Sequence, residues 1–344
     1  MYPSNLFDKT VLCFQGKMNN STAVNQTLSS PETITPFSIM AWSVAFGTLA
    51  AMAIFGNSTV ILAFSRNIKL HTRTNYIIVG LATADLLVGF IAVPLYISMI
   101  LLYKRHLVIP LVLSVIYHAM DVFGGFASIF HLMLISLERF YAIAFPVSHR
   151  NSSKVVYFGV LVICWVTAGS LSVMHSIRYS NYNITRVFFI LFCVCFTVAF
   201  IVICSMYLGI WRKAKSKKLI RKGSRKTLQK RDHEVMIAMS LLIVIIIFAV
   251  TWLPFFCINA VYFFQSDLKR RAISFDVIQF TKLLHYSNSA INPIIYSLKI
   301  PGFKKTFTSL LKRESTRSLR ASFSMSRRDS SKKPMAQADK QDHC

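Results

Sequence analysis

The chain has 344 residues, of which 54% are hydrophobic and 15% are charged, a composition too apolar for a soluble protein of this length. Its formal net charge of +26 at pH 7 could indicate a nucleic-acid-binding protein, but the positive side chains are concentrated in the segments between long apolar stretches. We therefore predict an all-α membrane protein with no nucleic-acid partner.

Seven apolar stretches follow a polar segment at residues 1–37, and each is long enough to cross a bilayer, which takes about 20 helical residues. No cleavable signal peptide is recognised, so we expect the first stretch to serve as the insertion signal. The length of the stretches excludes a β-barrel, whose strands have about ten residues of alternating polarity. The predicted spans, called spans one to seven, are residues 38–65, 74–102, 109–142, 155–175, 186–211, 236–264 and 274–298.

Lysine and arginine predict which loops are cytoplasmic. Basic side chains follow span one (Arg66, Lys69 and Arg73), separate spans three and four, and fill the loop before span six. By the positive-inside rule these loops are cytoplasmic and the N-terminus is extracellular. The basic loops have two interpretations, which are attraction to anionic membrane lipids and docking of a cytoplasmic partner. Glycosylation sequons agree with this topology, since the segments assigned outside contain them at Asn19, Asn20, Asn25 and Asn183.

Two aspartates interrupt the apolar spans. Asp85 is at the centre of span two and Asp121 is in the outer half of span three, where each costs roughly 2.5–3.5 kcal/mol on insertion scales. Arg139 follows Asp121 after five helical turns, about 27 Å along the axis. Span three therefore carries an acid near its outer end and a guanidinium at its inner end.

Span seven contains the stretch "SNSAINPIIY", which is unusually polar for a membrane helix. Its amides and hydroxyls, with the carbonyl freed by Pro293, can form a small hydrated cavity beside Asp85 that suits a hard monovalent cation. The alternative is a polar network that only joins the helices. The predicted cation ligands are Asp85, Ser128, Asn288, Ser289 and Asn292.

The motifs of the spans, taken in order, resemble those of the rhodopsin-like (class A) G-protein-coupled receptors. These motifs are "GNSTVI" in span one, "LATADLL" in span two, "SLERFYAIAFP" closing span three, Trp165 in span four, "FAVTWLPFF" in span six and "NPIIY" in span seven. The resemblance covers about residues 38 to 312. It implies a seven-transmembrane helix bundle at 38–298 in the plasma membrane, with an extracellular glycosylated tail at 1–37 and no enzymatic activity.

Beyond span seven, "GFKKTFTSLLK" resembles the amphipathic eighth helix of the family, expected at 299–312 with Phe303 and Phe307 facing lipid. The cytoplasmic tail at 313–344 is expected to be disordered, and phosphorylation of its serines would recruit arrestin after a receptor kinase has acted.

The resemblance also implies the activation machinery. "ERF" at 138–140 stands in the position of the Asp/Glu-Arg-Tyr triplet, and Glu234 is placed to hold Arg139 in the resting state. A sodium ion at the predicted cation site is the implied allosteric modulator, with no other cofactor or metal. Contacts with a heterotrimeric G protein are expected from Arg139, Pro146 and Val147. The implied activation switch consists of Glu138, Arg139, Tyr207, Glu234, Phe248, Pro254, Pro293 and Tyr296.

The predicted pocket resembles that of biogenic-amine receptors, in which an Asp at the position of Asp121 pairs with the ligand ammonium. Tyr286 would hydrogen-bond this Asp, while Phe255 and Phe256 would enclose the ligand ring. Because span five lacks the serines of catecholamine receptors, the sequence favours a non-catechol amine as the small extracellular ligand. The predicted ligand residues are Asp121, Val122, Gly125, Cys195, Trp252, Phe255, Phe256, Lys282 and Tyr286.

Other features of the sequence are compatible with a different class of ligand. Lys282 is one turn outward from Tyr286 and has three interpretations: it neutralises Asp121, it meets an acidic ligand group, or it reaches the membrane surface. Ser114 replaces the cysteine of the usual outer disulfide and Ala199 replaces the usual proline of span five, as in the melanocortin, lysophospholipid and cannabinoid branch. A lipid, peptide or nucleoside ligand is therefore the alternative, and an intramembrane transporter is a remoter one.

Overall fold

The computed structural model describes residues 35–105, 107–177, 182–219, 225–264, 273–300, 302–306 and 308–309. Every regular element within these ranges is helical. The helices of the bundle are span one (Pro36–Arg66), span two (Arg73–Leu87 and Val93–Lys104, joined by the π-helical turn Val88–Ala92), span three (Leu111–Ala144), span four (Lys154–Ile177), span five (Tyr182–Leu219), span six (Arg225–Phe264) and span seven (Phe275–Lys299). A 3₁₀ turn, Ile68–Leu70, and a short helix, Pro146–Asn151, lie in the connections.

The predicted all-α seven-helix bundle is confirmed. Six of the described helices are long and apolar enough to cross a membrane. Span seven has 25 residues, but side chains such as Gln279, Lys282 and Asn292 lower its mean hydropathy. These polar side chains are buried inside the bundle, so they do not face the apolar surroundings. Span seven is therefore a full member of the bundle whose polar side faces the interior.

Local sequence determines where several spans begin. The Thr35 hydroxyl accepts a hydrogen bond from the backbone N–H of Ser38 at 3.1 Å, and Pro36 occupies the first turn of span one. Span seven begins in the same way, because the Ser274 hydroxyl accepts a bond from the N–H of Val277 at 3.3 Å. Such caps satisfy backbone donors that the helix itself leaves unpaired.

Spans five and six are longer than predicted. Each continues as a helix into the basic segment between them, up to Leu219 and from Arg225. Hydropathy detects only the apolar part of a helix, so these polar extensions were not predicted. Span five is also a single uninterrupted helix at Ala199, the position that lacks the usual proline. Asn183, predicted in an outer loop, lies in the first turn of this helix, and its side chain is outside the described residues, as are Asn19, Asn20 and Asn25.

The outward faces of the spans are apolar, as a lipid environment requires. Phe55, Phe158, Ile201 and Val250 are all more than half exposed, although each is strongly hydrophobic. A soluble protein would bury such side chains. The exposed faces of the bundle therefore match the hydrocarbon layer, while the polar side chains of span seven lie inside.

Near the end of the bundle that contains Asp121, called here the pocket end, Asp276 joins spans one and seven. Its carboxylate accepts hydrogen bonds of 2.7 Å from the Ser38 hydroxyl and from the indole N–H of Trp42. Tyr96 of span two donates a 2.9 Å bond to Gln279 in span seven. These contacts hold spans one, two and seven together, and the cysteines among the described residues are all free.

In the opposite half of the bundle, His131 of span three fills a space left by Gly80 of span two. A Cβ atom added at Gly80 would lie 2.5 Å from Nε2 of His131, which is closer than packing allows. The buried imidazole also contacts the Trp165 ring edge to face, with ring centroids 5.4 Å apart. The absence of a side chain at position 80 therefore permits the close packing of spans two, three and four.

We expect Gly80→Ala to destabilise the protein because its Cβ overlaps the buried His131 ring, whereas His131→Ala combined with Gly80→Ala should recover part of the loss. The melting temperature of the purified protein in detergent should fall by several degrees in the single variant. Overpacking costs about 1–3 kcal/mol, and each kcal/mol lowers the melting temperature by roughly 2–4 °C. Gly159→Ala is the matched control, because a Cβ there meets nothing within 4 Å. Equal melting temperatures for the two alanine variants would contradict this packing.

Candidate functional site

A cavity opens between the spans at the pocket end and is walled mainly by aromatic side chains. It contains about 850 Å³ of empty space, part of it open to solvent. Phe126, Phe192 and Phe196 form one wall from spans three and five, and Asn259 and His118 add polar groups. A lining of aromatic rings with a few polar groups is typical of small-molecule sites. Of the predicted ligand residues, those that line it are Asp121, Val122, Trp252, Phe255 and Lys282.

The other four predicted ligand residues support the cavity. Tyr286 is 2% exposed and bonds Asp121. Phe256 stacks on Phe192 at a centroid distance of 5.5 Å. Gly125 lies against Trp252, and Cys195 is half-buried against the core. These four residues pack behind the side chains that line the cavity.

Asp121 and Lys282 form an ion pair inside the bundle. Nζ of Lys282 lies 2.7 Å from Oδ2 of Asp121, and the Tyr286 hydroxyl donates a 2.8 Å bond to Oδ1. The two charged side chains are only 6% and 9% exposed. Tyr117 extends the network through a 3.1 Å contact with the Tyr286 hydroxyl. The structure agrees with the first of the three interpretations of Lys282, in which this side chain neutralises Asp121.

Four aromatic rings surround the Lys282 ammonium. Nζ is 4.5 Å from the ring centroid of Phe255, 5.3 Å from Tyr286, 5.6 Å from Tyr117 and 5.8 Å from Tyr96. All four distances fall within the range of cation–π attraction. The ammonium therefore has a carboxylate on one side and aromatic rings around it.

An aromatic column, consisting of Phe255, His285, Trp252 and Phe248, leads from the ion pair into the bundle. His285 stacks on Phe255 at 4.5 Å and meets Trp252 edge to face at 4.2 Å. Trp252 stacks in turn on Phe248 at 5.1 Å. Its ring rests on Gly125, where an added Cβ would lie 2.7 Å from the ring. The column is thus a continuous series of ring contacts from the ion pair to the middle of span six.

His285 was not assigned to the site from sequence. It is buried, and its Nδ1 is 3.9 Å from the Asp121 carboxylate. The signal available in sequence was its spacing, since it follows Lys282 by three residues and therefore shares one face of span seven.

In the middle of the bundle, two of the predicted cation ligands, Ser289 and Asn292, lie against Asp85. The Asp85 carboxylate is fully buried and accepts bonds of 2.8 Å from the Ser289 hydroxyl and from the Asn292 amide. Asn57 reinforces the site by donating to the backbone carbonyl of Ser289 at 2.8 Å. Ser128 and Asn288 are also buried, and Asn288 donates to the carbonyl of His285 at 3.3 Å. A buried carboxylate with a hydroxyl oxygen beside it has the oxygen ligands that suit a hard monovalent cation.

At the other end of the bundle, called here the Arg139 end, Arg139 is held by neighbours on spans two and three. Nε of Arg139 lies 2.6 Å from Oε2 of Glu138, and its guanidinium also bonds the Thr74 hydroxyl. Thr74 donates to the same Glu138 oxygen at 2.8 Å, while His149 contacts Oε1 at 3.0 Å. Thr74 and His149 have no sequence signal for this role. The side chain of Glu234, the predicted partner of Arg139, lies outside the described residues.

The segment after span three presents an exposed surface at this end. Pro146 begins the short helix, and Val147 next to it is 75% exposed. Arg73 of span two fixes the segment by bonding the backbone carbonyls of His149, Arg150 and Ser152. An exposed apolar side chain on an anchored segment fits the predicted contact surface.

Besides Glu234 and Phe248, four more predicted switch residues lie in spans five to seven. Tyr207 and Tyr296 are both buried, and the Tyr296 hydroxyl has no hydrogen-bond partner among the described residues. Pro254 and Pro293 lie inside the helices of spans six and seven.

The expectation that Phe303 faces lipid was wrong. Phe303 is fully buried, and its ring centroid is 6.5 Å from that of Tyr296. The neighbouring Gly302 lies against Leu70, so this segment packs on the Arg139 end of the bundle. Only residues 302–306 and 308–309 of the predicted eighth helix are described as helical, and Phe307 lies outside the described residues.

Comparison with known proteins identifies the class of this chain. A family model described as 7 transmembrane receptor (rhodopsin family) matches residues 56–296. The chain belongs to this family, which confirms the resemblance found in the sequence. The family is one of receptors, and the prediction that the chain is not an enzyme is therefore confirmed as well.

Two groups of receptors are among its relatives. The chain is 26% identical over 307 residues to adenosine receptor A2a of Homo sapiens, an alignment that covers 77% of this chain and 70% of the relative. Adenosine receptor A3 of Ovis aries is 29% identical, with 76% and 86% covered. Trace amine-associated receptor 13c of Danio rerio is 28% identical, with 89% and 93% covered.

Thr74→Val should raise ligand-independent signalling, because valine keeps the shape of Thr74 but removes the hydroxyl that bonds both Glu138 and Arg139. Loss of one hydrogen bond destabilises the resting state by about 0.5–1.5 kcal/mol. Basal nucleotide exchange on the G protein should therefore rise roughly 2- to 10-fold. Exchange is measured in membranes at equal receptor abundance. Thr59→Val is the control, since that exposed hydroxyl donates only to the Phe55 carbonyl of its own helix. Unchanged basal exchange in Thr74→Val would show that this network does not hold the resting state.

Proposed function

We propose that this receptor binds a small extracellular ligand in the cavity and activates a heterotrimeric G protein at the Arg139 end. The pocket end then faces outside the cell, in agreement with the basic loops at the opposite end. The observation that carries the proposal is the aromatic column, because it joins the ion pair of the cavity to the interior of span six. Movement of the ligand-contacting rings then changes the packing on which the Arg139 end depends.

The ligand we propose is a flat heteroaromatic molecule without net charge. The cavity is walled by aromatic rings, which favour stacking with a planar ligand. Asp121 already has a counter-ion in Lys282, so a neutral ligand can enter without separating two buried charges. Asn259 and His118 supply polar groups for the edges of such a ring. The similarity to adenosine receptors supports a nucleoside-like molecule, one of the alternatives that the sequence left open.

A non-catechol amine is the second candidate. The Asp121 carboxylate and the rings of Phe255 and Tyr286 have the chemistry of an ammonium site, and the similarity to a trace amine-associated receptor supports it. Such a ligand would have to displace Lys282 from Asp121. The displaced ammonium would then need a new partner inside the cavity.

We also propose that Asp85, with Ser128, Asn288, Ser289 and Asn292, holds a sodium ion as an allosteric modulator. Phosphorylation of tail serines with arrestin recruitment, and contact of the basic loops with anionic lipid, remain proposals made from the sequence.

The ligand proposal is tested with a panel of uncharged nucleosides and purines against arylalkylamines such as 2-phenylethylamine. Nucleotide exchange on the G protein in receptor-containing membranes should respond to a member of the uncharged set at least tenfold more potently than to any amine. Phe255→Leu should weaken that response by roughly 2- to 10-fold, since ring stacking contributes about 0.5–1.5 kcal/mol.

Phe280→Leu is the matched control, because Phe280 is exposed on the outside of span seven. If only the amines activate the receptor, and Asp121→Asn abolishes their effect, the ligand is an amine and the neutral-ligand proposal fails.

The sodium proposal predicts that NaCl raises the melting temperature of the purified receptor relative to choline chloride at equal ionic strength. In Asp85→Asn this difference should vanish, because the amide lacks the charge that binds the cation. A sodium effect of unchanged size in Asp85→Asn would place the ion elsewhere.

A further inference from the structure

We propose that Lys282 is a tethered ammonium which occupies the amine-binding position of this receptor and thereby selects against free amines. The proposal deepens the proposed function, since it rests on a cavity that takes a small extracellular ligand. In this proposal Lys282 determines which ligands the cavity accepts, through the contacts that its side chain makes with Asp121 and the aromatic rings.

The first argument is the geometry around Nζ. An amine receptor needs one carboxylate oxygen at hydrogen-bond distance and aromatic faces around the ammonium. Lys282 has both, with Asp121 at 2.7 Å and the Phe255 ring centroid at 4.5 Å. Tyr286 contributes twice, because its ring faces Nζ and its hydroxyl bonds the same carboxylate. The position of a bound amine is thus filled by an amine that the chain itself supplies.

The second argument is charge. With Lys282 in place, the buried cluster of Asp121 and Lys282 has no net charge. A second ammonium in the cavity would face one carboxylate shared between two cations. Burying an uncompensated positive charge is costly, so free amines are disfavoured as long as Lys282 keeps its place.

The third argument is shape. Lys282 is 5% exposed, and its side chain lies between spans three, six and seven. Replacement by alanine removes the atoms beyond Cβ, which are three carbons and the ammonium. These atoms correspond to n-propylammonium. Lys282→Ala should therefore create a site for this small amine beside Asp121, with the aromatic rings still in position.

The test measures binding through the melting temperature of purified receptor in detergent, without any agonist. Lys282→Ala should lower the melting temperature by on the order of 5–10 °C, because Asp121 loses its counter-ion. Added n-propylammonium chloride should restore at least half of this loss, with saturation at millimolar concentration. The wild-type receptor should not respond.

Three comparisons isolate the charge and the space. 1-Propanol has similar size without charge and should not restore Lys282→Ala. Lys282→Met keeps the volume but not the charge, so n-propylammonium should find no room. In Asp121→Asn with Lys282→Ala the amine lacks its anion and should have no effect. Equal restoration by 1-propanol, or a response to the amine in Lys282→Met of the same size, would overturn the proposal.

If Lys282→Ala does not fold when expressed alone, its surface abundance is measured in cells grown with n-propylammonium or with 1-propanol. Recovery with the amine alone supports the proposal, and recovery with neither or with both refutes it. This outcome is independent of the agonist panel. A receptor that lacks a neutral agonist can still bind n-propylammonium after truncation, and a receptor with such an agonist can fail to do so.

Discussion

The contact between Asp121 and Lys282 joins spans three and seven at the pocket end, and both charged side chains are largely shielded from solvent. Both side chains are more than nine-tenths buried, so separating them would leave a charge in an apolar interior. Tyr286 and Tyr117 extend this contact by hydrogen bonds. The four aromatic rings pack around the Lys282 ammonium, so their positions depend on the ion pair.

The same contact sets the position of the rings further inside. Phe255 touches both the ammonium and His285, and His285 touches Trp252. Rings in direct contact cannot shift far without moving one another. Because Gly125 has no side chain, the backbone of span three lies directly against the Trp252 ring and restricts its movement. In the proposed function, a ligand that displaces the ion pair or Phe255 would therefore also displace Trp252 and Phe248, which lie deeper along span six.

Sequence predicted the bundle because apolar length is a strong signal, and it predicted the Asp85 site because polar residues in spans require partners. It did not settle the pairing of Asp121 with Lys282, which are 161 positions apart, because that depends on the packing of two helices. Thr74 and His149 carry no special pattern, and their roles appear only when the spans are assembled. The burial of Phe303 was missed for the same reason, since helical spacing identifies an apolar face but not what covers it.

The two buried aspartates differ in how their charge is compensated, and this difference connects the proposals. Asp121 has a fixed cation, and its cluster is neutral before any ligand arrives. Asp85 contacts the dipoles of Ser289 and Asn292, and among the described residues no cationic side chain forms an ion pair with it. Dipoles stabilise a buried carboxylate only in part, which agrees with the proposed sodium ion at Asp85, whereas Asp121 already has its counter-ion in Lys282. The same electrostatic rule therefore supports a sodium ion in the middle of the bundle and a ligand without net charge in the cavity above it.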